Sequence, residues 1–262
     1  MKPGIYNSLS NEDYHSSDGI SRSGVMAFKK SPLHYWHEYV NPKRETREKD
    51  TPSTIFGNAF HTYILENESF KDRFIVCDKV DRRTTDGKKY WAKIQEERGG
   101  KSIIDIDDYN QLSDMANSLM NHDQAGRLIF NATYENSIYW NDPLTGVLCK
   151  CRPDIMSNNM IVDLKTTDDA NPDTFRYSIR KYGYHVQAAM LLDGMNAAKG
   201  TNCNNFIIIA IEKNPPYACA VYVLDEAAID IGREFYKSAL VDYKKCFNEN
   251  KWPTYETQTI SI

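Results

Sequence analysis

Residues 146–167, GVLCKCRPDIMSNNMIVDLKTT, read as two short strands joined by a polar turn, with charges placed where apolar alternation would predict plain core. Residues two apart in a strand share a face, so Lys150, Arg152 and Asp154 are expected on one side and Val147, Cys149 and Cys151 on the other. The second strand repeats the device. Ile161, Asp163 and Lys165 share one face and Val162 and Leu164 the other, which sets a carboxylate and an ammonium about 6 to 7 Å apart along the strand. Asp154 supplies a second carboxylate just upstream.

Two acids and a lysine on adjacent strands can hold a hard divalent cation through oxygen ligands while the lysine faces the same pocket. Magnesium suits such a site, since it takes one or two carboxylates and leaves its other positions to water and phosphate. The plainer alternative is an ion pair between Asp163 and Lys165 with Asp154 as a turn residue, because D-x-K is a short and common pattern. Pro153-Asp154, the apolar approach into Asp163-Leu164-Lys165 and the polar Thr166-Thr167 together resemble the P-D…D-x-K core of the restriction-endonuclease-like nuclease superfamily.

The surrounding composition bounds the possibilities. A chain of 262 residues, 41% hydrophobic, can bury a large α/β core. Six cysteines, with no C-x-x-C pair among them, point to reduced thiols rather than disulfides, zinc or an iron–sulfur cluster. No secretory leader and no apolar run long enough to cross a bilayer are evident, so a cytoplasmic protein with no membrane partner is expected. A net charge of -4 argues against coating nucleic acid with the whole surface but leaves room for a local basic groove. Positive residues gather at Lys43-Arg44 with Arg47, at Arg82-Arg83, at Lys88-Lys89, and at Arg176, Arg180 and Lys181. Any single such cluster is more often a solvated face.

Along the chain, residues 1–20 read as an ordered loop, rich in Gly, Ser, Asn and Asp. Ser21 or Ser23 caps a helix through Lys29, and Ser31 caps another with Pro32 at its first position. Residues 41–53 are charged and poor in apolar side chains, hence a loop. A helix from Thr54 to Glu66 carries Gly57 and His61 on one face. A lone histidine there is usually a hydrogen-bonded core residue, but it becomes a metal-ligand candidate if the carboxylate strands pack against that helix. Further elements are a strand at 74–77, a helix over 86–98, an extended segment at 102–106, and helices from Asp107 or Asp108 and on to Phe130. A strand over 135–141 then turns through Asp142–Gly146 into an antiparallel hairpin, with Glu135 at its start as a third carboxylate. Helices over 172–181 and 184–199 follow, Arg176 and Arg180 lying one turn apart on the first. Apolar strands at 206–211 and 218–224 and a long helix from Asp225 to about Phe247 close the chain. This order suits a mixed sheet with helices on both faces.

Longer segments widen the resemblance: GIYNSLSNEDYH near the start, GNAFH at 57–61, RFIVCDKVDRRTTDGK at 73–88, SIYWNDPLTGVLCKCRPD at 137–154, IVDLKTT at 161–167 and YHVQAAMLLDG at 184–194. The chain resembles the nuclease domain of the RecE-type exodeoxyribonuclease VIII family, in the RecB-like branch of the PD-(D/E)xK superfamily. That resemblance implies an α/β fold with a restriction-endonuclease-like mixed central sheet flanked by helices. It implies one domain over 1–262, with a helical part to about 130 and a catalytic sheet core from about 131. It also implies that His61, Asp154 and Asp163 bind metal, joined by the main-chain oxygen of Leu164 and by Glu135. Lys165 would orient or activate the attacking water. Gln187 matches the glutamine of the Q-x-x-x-Y motif, whose tyrosine position is Leu191 here, and Tyr184 is the candidate substitute. Arg82, Arg83, Arg176, Arg180 and Tyr184 are the candidate DNA contacts.

The implied activity is Mg²⁺-dependent hydrolysis, with one or two ions and Mn²⁺ as a substitute. Double-stranded DNA would be degraded 5′ to 3′ by a trimeric or tetrameric ring, leaving 3′ tails for a strand-annealing recombinase. The alternatives are a catalytically silent DNA-binding protein of this fold and an endonuclease or resolvase sharing its chemistry.

Overall fold

The computed structural model describes residues 1–7, 9–43, 51–130, 133–134, 136–157 and 159–255. Arg44, Arg47 and Glu135, named above for their charge, lie outside the described residues. The chain opens with a short strand, β1 (Gly4–Tyr6), and a helix, α1 (Asn11–Ser16). Helices α2 (Arg22–Lys30), α3 (Pro32–Tyr35) and α4 (Pro52–Leu65) follow. Ser21, Ser31 and Thr51 cap these three through their side-chain oxygens, and Pro32 and Pro52 sit in the first turns, where no amide is missed. After α5 (Phe70–Arg73) come β2 (Phe74–Cys77), α6 (Thr85–Glu97), β3 (Ser102–Asp105), α7 (Ile106–Asn121) and α8 (Asp123–Phe130). The second half runs β4 (Thr133–Tyr134), β5 (Ser137–Asn141), β6 (Leu148–Cys151), β7 (Ile155–Met156), β8 (Ile161–Thr167), α9 (Pro172–Lys181), α10 (Tyr184–Lys199), β9 (Phe206–Glu212), β10 (Cys219–Val223) and α11 (Glu226–Glu249).

The central sheet is mixed, in the order β10-β9-β8-β7-β4. Strands β8 and β9 run parallel, with α9 and α10 forming the crossover, and the other pairs are antiparallel. Alternation along β8 sorts its side chains onto the two faces. Ile161 joins Phe206, Ile208 and Ala210 under α2, α10 and α11. Val162 and Leu164 join Ile209 and Ile211 under α4, α7 and α8. Helices therefore cover both faces, the restriction-endonuclease-like arrangement expected of the sequence. All six cysteines are unpaired, as expected, and among the described residues no helix is long and apolar enough to cross a membrane.

Two expectations fail, both because strand pairing at long range overrides local signals. Residues 1–20 are not simply loop: β1 pairs antiparallel with β5, which pairs with β6 to make a separate three-stranded sheet. Three residues carry too little periodicity to announce such a strand. The alternation that should bring Lys150 and Arg152 beside Asp154 also stops, because β6 ends at Cys151, ahead of Pro153. Lys150 is buried instead, its Nζ donating to the carbonyls of Tyr14 at 2.7 Å and Ser17 at 2.6 Å, near the end of α1. Arg152 reaches the Oγ of Ser137 and the carbonyl of Leu9. Both cations fasten the N-terminal segment to the β5–β6 hairpin rather than facing the carboxylates.

Candidate active site

Asp154 immediately precedes β7, and β7 pairs with β8 in the register Ile155 with Val162. Carried one residue further, that antiparallel register sets Asp154 opposite Asp163, which is why two acids nine positions apart meet. Asp154 is fixed there by accepting the amide N–H of Leu164 on Oδ2 at 2.8 Å. Leu164 thus engages this site through its N–H, whereas the sequence reading gave it a role through its carbonyl.

Two helices approach β8 from opposite faces. From the face carrying Val162 and Leu164, α4 brings His61, whose Nδ1 lies 3.6 Å from Asp154 Oδ2. Gly57, one turn earlier, faces Thr166, whose Oγ1 lies 3.7 Å from the position a Cβ would take, an ordinary packing distance of helix on strand. From the other face, α10 presents Tyr184 and Gln187 one turn apart. Gln187 donates from Nε2 to Asp163 Oδ1 at 2.7 Å. The second oxygen of Asp163 meets Lys165 Nζ at 2.5 Å, and that ammonium lies 5.1 Å from the centre of the Tyr184 ring. Leu191, at the motif's tyrosine position, is buried in the core beneath α10 and offers no polar group.

Burial governs the electrostatics. Asp163 is 1% exposed. Desolvation pushes its carboxyl up to about 6 against the pull of Lys165, with the nearby charge of Asp154 adding to the rise. Burial works against the Lys165 ammonium too. There the combined attraction of Asp163 and Asp154 and the bond to Asp163 prevail, and its pKa stands above the ordinary lysine value.

Two carboxylates forced together with an imidazole beside them form a hard donor set suited to a divalent cation. The donor chemistry fits a metal, although among the described residues no three His, Cys, Asp or Glu side chains stand in ready ligand geometry. Asp163 accepts from Gln187 on Oδ1 and is ion-paired with Lys165 through Oδ2.

The basic candidates are arranged differently. Arg82 lies flat on Trp91, 3.3 Å from the ring centre. Arg83 makes a two-point ion pair with Asp81. Arg176 stands 3.9 Å from Asp173 on the exposed face of α9, and Arg180 is exposed. Among the described residues none of the four bonds to the acidic cluster. One cation that sequence reasoning passed over does approach it: Arg22, the first residue of α2, whose pKa burial lowers against the opposing pull of Tyr184 and Asp163. No local signal marks it, since an arginine after a capping serine is commonplace.

A mixed sheet with helices on both faces and a D…D-x-K constellation across its β7–β8 pair defines a PD-(D/E)xK-type fold. The chain belongs to the family described as PDDEXK-like domain of unknown function (DUF3799), whose profile matches residues 21–260. A crystal structure from Eubacterium rectale, named "Putative exonuclease", has a TM-score of 0.64 at 15% identity, over 97% of this chain and 96% of that one. A phage-related exonuclease from Haemophilus somnus matches with a TM-score of 0.35 at 11% identity, over 74% of this chain and 95% of that one. An alkaline exonuclease from Laribacter hongkongensis matches with a TM-score of 0.30 at 16% identity, over 70% and 95%. A search of curated proteins finds no match.

Proposed function

We propose that the chain is a metal-dependent DNA exonuclease, acting 5′ to 3′ on linear double-stranded DNA and leaving 3′ single strands for a strand-annealing recombinase. The observation that carries this reading is the meeting of Asp154 and Asp163 across the β7–β8 pair, with Lys165 two residues along the same face as Asp163. The exonuclease named from Eubacterium rectale, similar over nearly the whole of both chains, supports the choice of reaction.

In this reading His61, Asp154, Asp163 and the Leu164 carbonyl would hold Mg²⁺ or Mn²⁺, with Glu135 as a further candidate. Such a cation, when bound, supplies an activated water and neutralises phosphate charge. The chain's own residues do the rest. The Leu164 amide orients Asp154, and Gln187 holds Asp163. Lys165, beside Asp163 on the same face of β8, would place its ammonium where charge grows on the phosphorane oxygens. Tyr184 limits where that ammonium can go. We take residues 1–262 as one domain, the helical part before about 130 contributing His61 and the sheet core the acids. A ring of three or four copies, with Arg82, Arg83, Arg176 and Arg180 toward the DNA, would reconcile a net charge of -4 with a polyanionic substrate.

One observation favours a second reading, a silent DNA-binding protein: both oxygens of Asp163 are already taken by side chains. Digestion of end-labelled linear duplex and of covalently closed circles, with Mg²⁺, Mn²⁺ or chelator, separates the possibilities. Release of mononucleotides from 5′ ends of the linear form alone is expected. Cutting of circles would make the protein an endonuclease, and no cleavage with either metal would leave the silent reading.

A further inference from the structure

A half-buried arginine beside this site has, among the described residues, no partner that accounts for its sealed Nε. Ser21 caps α2 through its side chain and so fixes where Arg22, the first helical residue, projects. The guanidinium runs to Gly183, the left-handed residue that opens α10, with one terminal nitrogen 3.5 Å from the point where a side chain at Gly183 would begin. It therefore arrives next to Tyr184, whose ring also covers Lys165. The Nε of Arg22 is sealed from solvent and donates to no acceptor. Among the described residues no carboxylate stands within ion-pair distance of it. Asp163 does act on its charge, but the oxygens of Asp163 are engaged by Gln187 and Lys165.

Leaving a buried guanidinium N–H without an acceptor is unfavourable, because its desolvation goes uncompensated. Burial also lowers the pKa of Arg22, the attraction of Tyr184 and Asp163 notwithstanding. A fold that carries such a cost next to an acid pair holds a donor in readiness for something absent from the polypeptide. Five N–H groups in a planar fork match the paired oxygens of a phosphate. With a divalent cation added to Asp154 and Asp163, the cluster becomes net positive, and the group that completes it is an anion.

We propose that Arg22 is a phosphate-contacting residue of this site, its guanidinium gripping non-bridging oxygens of a nucleic-acid phosphate held against Lys165. The inference rests on the nuclease reading and adds to it a residue on α2, outside the D…D-x-K strands. The phosphate is either the diester being cut or the terminal phosphate of the strand end, and both present the same oxygens.

The test compares the parent protein with Arg22→Gln and Arg22→Lys. Affinity for blunt duplexes bearing either a 5′-phosphate or a 5′-hydroxyl is measured in chelator across a salt series, turnover is measured with Mn²⁺, and thermal melting is followed alongside. Arg22→Gln is expected to weaken duplex binding at least tenfold and to reduce the slope of log affinity against log salt by about one. Melting should be unchanged or raised, because an unsatisfied buried donor has gone. Arg22→Lys should regain part of the affinity but not the turnover, since an ammonium cannot make the two-point contact. Equal losses on both duplexes place the contact at the diester, whereas a loss confined to the phosphorylated duplex places it at the terminal phosphate. Affinity, salt slope and turnover all within twofold of an active parent would overturn the proposal. So would a collapse of Arg22→Gln folding or melting that Arg22→Lys restores together with full turnover, which is the signature of a structural cation. A parent protein that neither binds nor cleaves nucleic acid would instead remove the nuclease reading itself.

Discussion

Asp163→Asn, followed by urea unfolding in chelator between pH 4 and 7, tests the electrostatic account of the site most directly. In the parent the native Asp163 carboxyl stands at about 6, whereas the unfolded chain has the ordinary value of about 3.9. The native state therefore binds the proton more tightly, and stability must fall as pH rises from about 4 to about 6. At about 1.4 kcal/mol per pH unit the full fall is about 3 kcal/mol. Lys165 does not blur the window. Its native pKa is raised above its ordinary value, so its contribution is fully present below about 10.4 and is lost only at higher pH. The asparagine amide keeps the shape and the acceptor for Gln187 but binds no proton, so the variant should lose that slope and overtake the parent near pH 7. Added Mn²⁺ should reverse the trend in the parent, because metal binding needs the ionised carboxylate and stabilises more as pH passes 6. It should do far less in the variant. A parent with flat stability between pH 4 and 6, or a variant with the same slope as the parent, would refute the reasoning.

Lys165→Ala should lower turnover by about 10²- to 10³-fold, as expected for loss of a group that acts on transition-state charge, with duplex affinity nearly kept; single-turnover kinetics would show otherwise if bound DNA were still cut at the parental rate. Lys150→Met should cost about 2–3 kcal/mol in a urea titration, because the buried carbonyls of Tyr14 and Ser17 lose their donor; a loss below about 0.5 kcal/mol would deny that this lysine fastens the N-terminal segment. Gly232→Ala should cost more than about 3 kcal/mol, since its Cβ would fall 2.2 Å from the His185 carbonyl oxygen and force α11 away from α10. A variant of that glycine with a near-parental urea midpoint would mean the two helices slide apart freely.

Local chemistry made much of this protein legible from its residues. The spans of α9 and α10 follow from Pro172 at a helix start and from the apolar run over 184–199, and both match the structure. The facing of β8 also follows, because a period of two admits one assignment once Ile161 and Leu164 are placed in core. Asp163 and Lys165 were bound to share a face for the same reason. What no window of sequence could hold was the partner across space. The meeting of Asp154 with Asp163 needs the β7–β8 register, and the approach of His61 needs α4 to pack on β8. Lys150 and Arg152 follow the strand period in sequence yet serve the N-terminal segment, because β6 ends at Cys151 and carbonyls of that segment lie within reach. Arg22 is the extreme case: its neighbours in the chain call only for a helix start, and its placement beside Tyr184 exists only once α2 packs against α10. Periodicity is a property of one segment and is written in it, whereas a site assembled from α2, α4, α10 and the β7–β8 pair depends on contacts whose energies arise only when those segments have met.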